Sequence, residues 1–282
     1  MSGPQVTAGG ALARLGPGEV RRAAGLVHEG RVFDLAHELH DAVPAFPGRT
    51  FRQLLTTNPG RSVGANQVNW VVEVVNAPSQ MGTHMDSLNH LLRAGRMHGG
   101  HRIDEVTVEW GTTRNGIETL PQVVTRGLLA DVAATAGVDR LPAGHVITPA
   151  EAEAALARRG VTVEPGDAVL FHTGWGALWY DNPDAYGQGE PGPGRDLAAW
   201  LVERRVVLTG CDTWSYGPVP AEDPDRPFEV PQSLNVDHGV VVVENLRLAE
   251  LAAANVGPFL LVVSHPKLRG ATGAWVAPLA IV

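Results

Sequence analysis

Apolar residues recur along the chain in short runs, and stretches with a helical pattern separate many of them. Runs of five to eight residues rich in Val, Leu and Ala predict strands, and they lie at 31–35, 69–75, 127–132, 166–172, 206–210, 240–244, 259–263 and 275–282. Helical patterns lie at 19–28, 196–205 and 248–255. A further helix has a capping box, Thr148 to Glu151 with Pro149 at its first position, and Gly160 ends it. Strands that alternate with helices predict a mixed α/β fold.

The chain has 282 residues, which is enough for one large domain with a sizeable core. Two long Gly- and Pro-rich stretches, 181–195 and 215–231, are predicted loops, and loops of that length are often functional. Neither resembles an interdomain linker, because predicted elements crowd both sides. We therefore expect a flexible N-terminal segment, residues 1–10, followed by one catalytic domain, residues 11–282.

Charge and cysteine content narrow the class of partner. Lys and Arg number 22 against 30 Asp and Glu, a net charge of −8, and no basic stripe is present. This balance argues against a nucleic acid or an anionic membrane as partner. Cys211 is the one cysteine, so no internal disulfide can form. Neither a secretion signal nor a membrane-spanning run is found, and we expect a cytoplasmic protein.

Histidines concentrate in one part of the sequence, where four of the 11 fall between His84 and His101. Gln80, His84, Asp86 and His90 lie at even offsets, which share one face of an extended strand. If the chain turns helical after Ser87, Asp86 and His90 are four residues apart and still meet. Two imidazoles and a carboxylate suit Zn²⁺, Mn²⁺ or Fe²⁺. The spacing is also compatible with a surface turn whose residues serve as caps and ion pairs.

The segment Gln-Met-Gly-Thr-His-Met-Asp-Ser-Leu-Asn-His, residues 80–90, resembles the signature His-x-Gly-Thr-His-x-Asp-x-x-x-His. That signature is typical of the metal-dependent cyclase/amidohydrolase family, which includes kynurenine formamidase and isatin hydrolase. Three further segments are similar to those of the family: 31–37 with Phe46-Pro47-Gly48, 239–246, and 270–273 with 278–280. The resemblance therefore covers about residues 31–282.

The resemblance implies a set of site residues. His84 and Asp86 would be metal ligands, and His90 the catalytic histidine or a ligand of a second metal. Glu244 would carry a proton or bind a second metal. Gln80 stands where the signature has its first histidine, and its amide oxygen is a weaker and harder donor than imidazole. Pro231 stands where many relatives have another histidine, and its neighbour Gln232 could supply an oxygen ligand. These departures favour one divalent ion, Zn²⁺ or Mn²⁺.

Other residues are candidates for substrate contacts. Phe46 and Trp214 would form an aromatic wall for a planar substrate, although core packing explains Trp214 equally well. His172 ends an apolar strand next to Gly174 and Trp175, and it could line the pocket or form a hydrogen-bonded core histidine.

The resemblance implies the swivelling β/β/α arrangement of a single domain, with a mixed, barrel-like β core flanked by helices, in a homodimer or homotetramer. It also implies a metal-dependent hydrolase of a small amide, formamide or lactam, with His90 as base. Two alternatives stay open. The protein could be a cyclase that acts on an aromatic polyketide intermediate. Alternatively, it could be a non-catalytic member that binds a small molecule, because two family histidines are replaced.

Overall fold

The computed structural model describes residues 9–56 and 60–282, which contain fifteen strands and nine α-helices. The strands are β1 (Val32–Asp34), β2 (Arg52–Leu55), β3 (Glu73–Asn76), β4 (His84–Asp86), β5 (Thr107–Val108), β6 (Gly111–Thr112), β7 (Val123–Asp131), β8 (Val146–Ile147), β9 (Ala168–His172), β10 (Gly192–Pro193), β11 (Leu208–Cys211), β12 (Val241–Glu244), β13 (Phe259–Val263), β14 (Gly273–Trp275) and β15 (Leu279–Ile281). The α-helices are α1 (Pro17–Ala24), α2 (Ile103–Val106), α3 (Val132–Ala136), α4 (Pro149–Ala157), α5 (Leu178–Asp181), α6 (Pro183–Tyr186), α7 (Arg195–Glu203), α8 (Glu229–Gln232) and α9 (Ala249–Ala253). Short 3₁₀ turns lie at Gly10–Arg14, His98–Gly100, Ile117–Thr119 and Trp175–Ala177, and a π-helical turn at Ser233–Asp237.

Most of the predicted flexible N-terminal segment, residues 1–8, lies outside the described residues. Gly9 and Gly10 at its end are buried, and the amide of Ala11 donates to the carbonyl of Gly239 at 2.8 Å. The described chain is therefore packed against the domain from Gly9 onward.

Nine strands form the main sheet, in the order β1-β15-β13-β7-β9-β11-β12-β4-β14. The four central strands β7, β9, β11 and β12 run parallel, and the strands on both flanks are antiparallel to their neighbours. The central strands are apolar and almost entirely buried, as expected for parallel strands that are covered on both faces. Helices α1 and α4 pack against β7.

The sheet curls until its two ends approach each other. Strands β14 and β15 are seven places apart in the sheet order, which is roughly 34 Å in a flat sheet at about 4.8 Å per strand. Only Val276, Ala277 and Pro278 connect them, and a link of that length reaches at most about 14 Å. The sheet must therefore bend into a nearly closed, barrel-like layer with helices outside it. This confirms the predicted mixed α/β single-domain architecture.

Two predicted strands differ from the structure. The strand predicted over 275–282 is wrong, because the chain leaves β14 at Trp275 and re-enters the sheet at another place as β15. The strand predicted over 69–75 is limited to β3, which pairs with β2 in a separate two-stranded ribbon. No helix in the described parts of the chain is both long and apolar enough to cross a membrane.

Candidate metal centre

Antiparallel pairing of β4 with β12 brings three ionisable side chains together. His84 lies directly opposite Glu244, so both point to the same face, and Asp86 shares that face because it is two residues further along β4. His84 Nε2 lies 3.2 Å from Glu244 Oε2 and 3.7 Å from Asp86 Oδ1. All three are buried, and one ligand atom from each lies within 4.8 Å of the others. The sheet register alone therefore creates a cluster of three possible metal ligands.

A backbone carbonyl fixes the orientation of the His84 ring. Its Nδ1 lies 2.8 Å from the carbonyl oxygen of Gly82, and because that oxygen can only accept, Nδ1 carries the hydrogen. Nε2 therefore faces the carboxylates. Gly82 has a φ of 57°, and a Cβ there would lie 2.2 Å from Leu39 Cδ2, so this turn favours glycine.

Two atoms of the cluster are buried without a hydrogen-bond partner among the described residues: Nε2 of His84 and Oδ1 of Asp86. Leaving such atoms unpaired in the interior is costly. A divalent cation between them would satisfy both, since imidazole and carboxylate are ligands that Zn²⁺ and Mn²⁺ accept. The donor set fits a metal ion, and the buried group of His84, Asp86 and Glu244 suggests one.

The charges in the cluster favour an added positive charge. Burial alone lowers the pKa of His84, but the contact and charge of Glu244 and the charge of Asp86 raise that pKa above its usual value. Burial raises the pKa of Glu244, and Asp86 raises it further, against the opposing effect of His84. The raised pKa of Glu244 therefore comes mainly from burial, and the raised pKa of His84 comes from its two carboxylate neighbours.

His90 lies at the edge of the cluster. The chain turns after Ser87, whose carbonyl accepts from the amide of His90 at 3.1 Å. Asp86 and His90 consequently meet as residues four apart, with 3.8 Å between Oδ1 and Nε2. The His90 side chain is 24% exposed, whereas that of His84 is 1% exposed. His90 is therefore the imidazole of this group that a molecule from solvent can reach.

Gln80 lies next to Gly273 of β14, the residue that pairs with Asp86 of β4. Its Nε2 donates to Thr272 Oγ1 at 3.0 Å, which leaves Oε1 as the atom it could offer to a metal. Gly273 pairs with Asp86 in the β4–β14 ladder, and a Cβ on Gly273 would lie 2.7 Å from Gln80 Nε2. The absence of a side chain at Gly273 therefore makes room for Gln80 beside the cluster.

The structure places the other predicted metal ligand, Gln232, at the end of α8. Its Nε2 donates to the carbonyl of Leu92 at 2.7 Å, in the segment that follows His90. This contact joins the loop that contains α8 to the segment that follows His90.

Phe46 and Trp214 lie together, as the predicted aromatic wall requires. Their ring centroids are 5.8 Å apart at an angle of 53°, and both line a narrow cleft with Gln80. Arg49, which sequence reasoning missed, lines the same cleft; its guanidinium lies 5.1 Å above the Phe46 ring and donates to the carbonyl of Gln80 at 2.6 Å. The Pro-Gly turn before it was the available signal.

A buried carboxylate holds Trp214 in place and was also missed. Glu190 accepts from the amide of Trp214 at 2.7 Å and from Ser215 Oγ at 2.5 Å. Burial raises the pKa of Glu190 well above its usual value, even though the contacts to Ser215 and Trp214 lower it. The one feature of the sequence that could have indicated Glu190 is its position in the predicted loop 181–195.

His172 lies apart from this cleft. The aligned positions across the parallel strands are Glu244, Cys211 and Phe171, so His172 is one residue further along β9 and points to the opposite face of the sheet. It lines a second cavity with Asp131 and Asp212. The prediction that His172 lines the same pocket as Phe46 and Trp214 does not match this placement, because side chains alternate between faces along a strand.

Comparisons with known proteins agree with the fold. A family model described as "Putative cyclase" matches residues 33–218. The chain is similar to a crystal structure of a novel cyclase, with a TM-score of 0.89 and 26% identity over 98% of this chain and 94% of that chain. It is similar to isatin hydrolase A from Ralstonia solanacearum, with a TM-score of 0.66 and 19% identity over 89% and 91% of the two chains. A third similar structure is described as a potential metal-dependent hydrolase with cyclase activity, with a TM-score of 0.59 and 18% identity over 89% and 98%. No curated protein matches the chain.

Proposed function

The chain belongs to the cyclase family, and on this premise we propose that it is a metal-dependent hydrolase of an amide, formamide or lactam C–N bond. The observation that carries the proposal is the buried cluster of His84, Asp86 and Glu244, in which Nε2 of His84 and Oδ1 of Asp86 have no hydrogen-bond partner in the described parts of the chain. The similar structures described as isatin hydrolase A and as a potential metal-dependent hydrolase with cyclase activity support the hydrolytic chemistry. A cytoplasmic location, supported by the single cysteine, belongs to the same proposal.

The proposed cofactor is one Zn²⁺ or Mn²⁺ ion held by His84, Asp86 and Glu244, with Oε1 of Gln80 as a further ligand. When bound, such an ion supplies Lewis-acid chemistry, which polarises a carbonyl and makes water more acidic. The Gly82 carbonyl prepares His84 for this role, because it holds the hydrogen on Nδ1 and leaves the Nε2 lone pair facing the carboxylates.

In the proposed reaction His90 moves the proton. Its Nε2 accepts a proton from the attacking water and returns it to the leaving nitrogen, so that the amine departs neutral. Asp86 Oδ1, 3.8 Å from Nε2, stabilises the imidazolium that forms between the two steps. Partial exposure of His90 lets it reach both the water and the substrate.

The proposed substrate is a planar or aromatic small molecule. Phe46 and Trp214 present tilted rings on one side of the cleft, and a flat substrate can pack against them. Arg49 contributes a positive charge at the same wall, which suits an acyl oxygen or a carboxylate on the substrate.

Elemental analysis of protein purified without chelator tests the cofactor. We expect about one equivalent of Zn or Mn in the wild type and its loss in His84→Ala. Asp86→Asn keeps the size of the side chain and should also lose the metal, while His238→Ala, an exposed histidine in a turn, should retain it. Equal metal content in all four proteins, or none in any after soaking with each ion, contradicts the proposed centre.

Activity is measured separately on a panel of N-formylanilines, lactams and lactones with the metal-loaded protein. We expect His90→Ala to lower kcat/KM by roughly 10²–10⁴-fold while it keeps its metal, and His238→Ala to retain full activity. Full activity in His90→Ala would remove His90 from the mechanism. Metal binding with tight ligand binding and no turnover on any substrate would favour the non-catalytic alternative.

Ring closure is the second candidate reaction, and the similar structure described as having cyclase activity favours it. The same cluster would then stabilise an enolate, and His90 would transfer protons between carbons and oxygens. Incubation with a poly-β-ketone mimic, scored for cyclised against hydrolysed product, distinguishes the two reactions.

A further inference from the structure

A second cavity lies at the carboxyl ends of β7, β9 and β11, on the face of the sheet opposite the metal centre. Its volume is about 630 Å³, within the roughly 300–1,000 Å³ typical of small-molecule sites. Among the described residues, none that lines this cavity also lines the cleft of Phe46 and Trp214. The carboxyl ends of parallel strands are the usual place for ligands in α/β folds.

A histidine held by a carboxylate lies in this cavity. His172 Nδ1 lies 2.8 Å from Asp131 Oδ1, and because a carboxylate accepts, Nδ1 carries the hydrogen. Asp131 is itself held by the amide of Ala134 at 3.2 Å and by Arg159 at 3.5 Å. In its neutral form the ring presents the lone pair of Nε2, which lies 3.8 Å from Asp212 Oδ2, too far for a hydrogen bond.

Asp212 is a buried carboxylate that lacks a strong cationic partner. Its Oδ1 accepts from the amide and the hydroxyl of Thr173 at 2.9 and 2.7 Å. Its Oδ2 accepts from the amide of Gly176 at 3.3 Å. The one charge-bearing group near it in the described structure is His172. A donor with two N–H groups, placed between Asp212 Oδ2 and His172 Nε2, would form a hydrogen bond with each of these two atoms.

The charges around the cavity favour a cation. Four carboxylates line it, those of Asp131, Asp139, Asp212 and Glu250, against the one guanidinium of Arg247. Arg247 is already paired with Glu250. Although burial alone lowers the pKa of His172, Asp131 and Asp212 raise that pKa above its usual value. Positive charge is therefore stabilised at this place.

The remaining wall is apolar. Val138, Leu246 and Leu248 line the cavity beside several alanines. An apolar group packed there would be removed from water, which is favourable. The cavity thus combines an acidic end with an apolar wall.

We propose that this cavity binds a small primary amine, with its ammonium group bridging His172 Nε2 and Asp212 Oδ2 and its apolar body against Val138, Leu246 and Leu248. A quaternary ammonium lacks the N–H donors that the bridge requires, and an alcohol lacks the charge. The ligand class is therefore defined by both charge and hydrogen bonding.

Isothermal titration of the metal-loaded protein with benzylamine tests this proposal, with benzyl alcohol, benzoate and benzyltrimethylammonium as comparison ligands. We expect benzylamine to bind more tightly than each of the other three by roughly tenfold or more. Equal affinity for benzylamine and benzyl alcohol would overturn the proposed ammonium site.

Variants locate the binding. Asp212→Asn should weaken benzylamine binding by roughly ten- to a hundredfold, whereas Asp196→Asn, the same charge change at an exposed position of α7, should leave it unchanged. Val138→Trp fills the cavity from its exposed rim without removing a buried polar group, so it should also weaken binding even if Asp212→Asn fails to fold. If Asp86→Asn abolishes binding while Asp212→Asn and Val138→Trp do not, the amine binds at the metal centre and the proposal is wrong.

Discussion

His37, His84 and His172 are buried or nearly buried, and the Nδ1 atom of each contacts a different kind of partner. In His84 that atom donates to a backbone carbonyl, and in His172 it donates to Asp131. In His37 it lies 3.0 Å from the hydroxyl of Tyr180, and the ring stacks on Trp179 with centroids 4.4 Å apart. Among the described residues, carboxylates lie next to the rings of His84 and His172, and none contacts the ring of His37. Positive charge is therefore stabilised on His84 and His172 but not on His37.

The neutral state of His37 predicts a pH dependence of stability. Burial, with a smaller contribution from the charge of Arg247, lowers its pKa from 6.5 to about 4. In the unfolded chain the ring takes up a proton near its ordinary pKa, so unfolding binds a proton between these two values. Stability is therefore fully present above pH 6.5 and falls as the pH drops towards 4, by on the order of 3 kcal/mol in total.

Urea unfolding at several pH values measures this loss. We expect His37→Gln to show a flatter decline than the wild type, because glutamine does not titrate. His28→Gln, at an exposed histidine, should decline as steeply as the wild type. Equal slopes for the wild type and His37→Gln would show that His37 is protonated in the folded protein.

At the level of elements, helix α4 shows how a local signal fixes an element. Thr148 Oγ1 accepts from the amide of Glu151 at 3.3 Å, and Glu151 Oε2 accepts from the amide of Thr148 at 2.8 Å. These reciprocal bonds satisfy donors that a helix start otherwise leaves free. The structure confirms the capping box predicted from the sequence. The sequence could predict it because all its residues lie within four positions.

Removal of this cap should cost stability without loss of the metal site. We expect Thr148→Ala to lower the free energy of unfolding by about 1 kcal/mol, because the amide of Glu151 loses its acceptor. Thr148→Ser keeps the hydroxyl and should lose far less. The urea midpoints of the three proteins give the comparison, and indistinguishable midpoints would show that water replaces the cap without cost.

Elements that depend on distant partners were harder to predict. The strand of Glu244 is visible in the sequence, but its pairing with the strand of His84 follows from sheet order, which local periodicity does not contain. For the same reason the sequence does not show that the run 275–282 leaves the sheet after β14 and re-enters it elsewhere as β15. The motif predicted His84 and Asp86 together because two residues on one strand need no tertiary information, whereas Glu244 entered through the family resemblance alone.

For the whole molecule, the ribbon of β2 and β3 is unusual. All eight of its residues are exposed, and in the described structure its strands pair only with each other. Leu54 is 66% exposed and lies opposite Val74, which is 53% exposed. Isolated two-stranded ribbons are marginal in water, and exposed apolar patches usually mark an interface.

We propose that a second copy of this chain covers the ribbon. The homodimer or homotetramer that the family resemblance implies supports this assignment, and a surface present on both copies can pair with itself around a two-fold axis. The unpaired outer edges of β2 and β3 also offer backbone groups to another chain.

Light scattering coupled to size-exclusion chromatography tests this interface. We expect the wild type to be a dimer or tetramer, and Leu54→Lys with Val74→Lys on the same face to produce monomers. Gln53→Lys adds a charge to the other face and should leave the mass unchanged. A wild type that is monomeric at every concentration would exclude the interface.

The pairing of β4 with β12 also has a consequence for biosynthesis. Glu244 is translated 160 positions after His84, so a nascent chain on the ribosome carries two of the three buried candidate ligands long before the third exists. High-affinity loading of the proposed ion must therefore wait until Glu244 has been made and β12 has paired with β4. Translation products that end before Glu244 would lack the complete site, and retention of the ion would distinguish them from longer products.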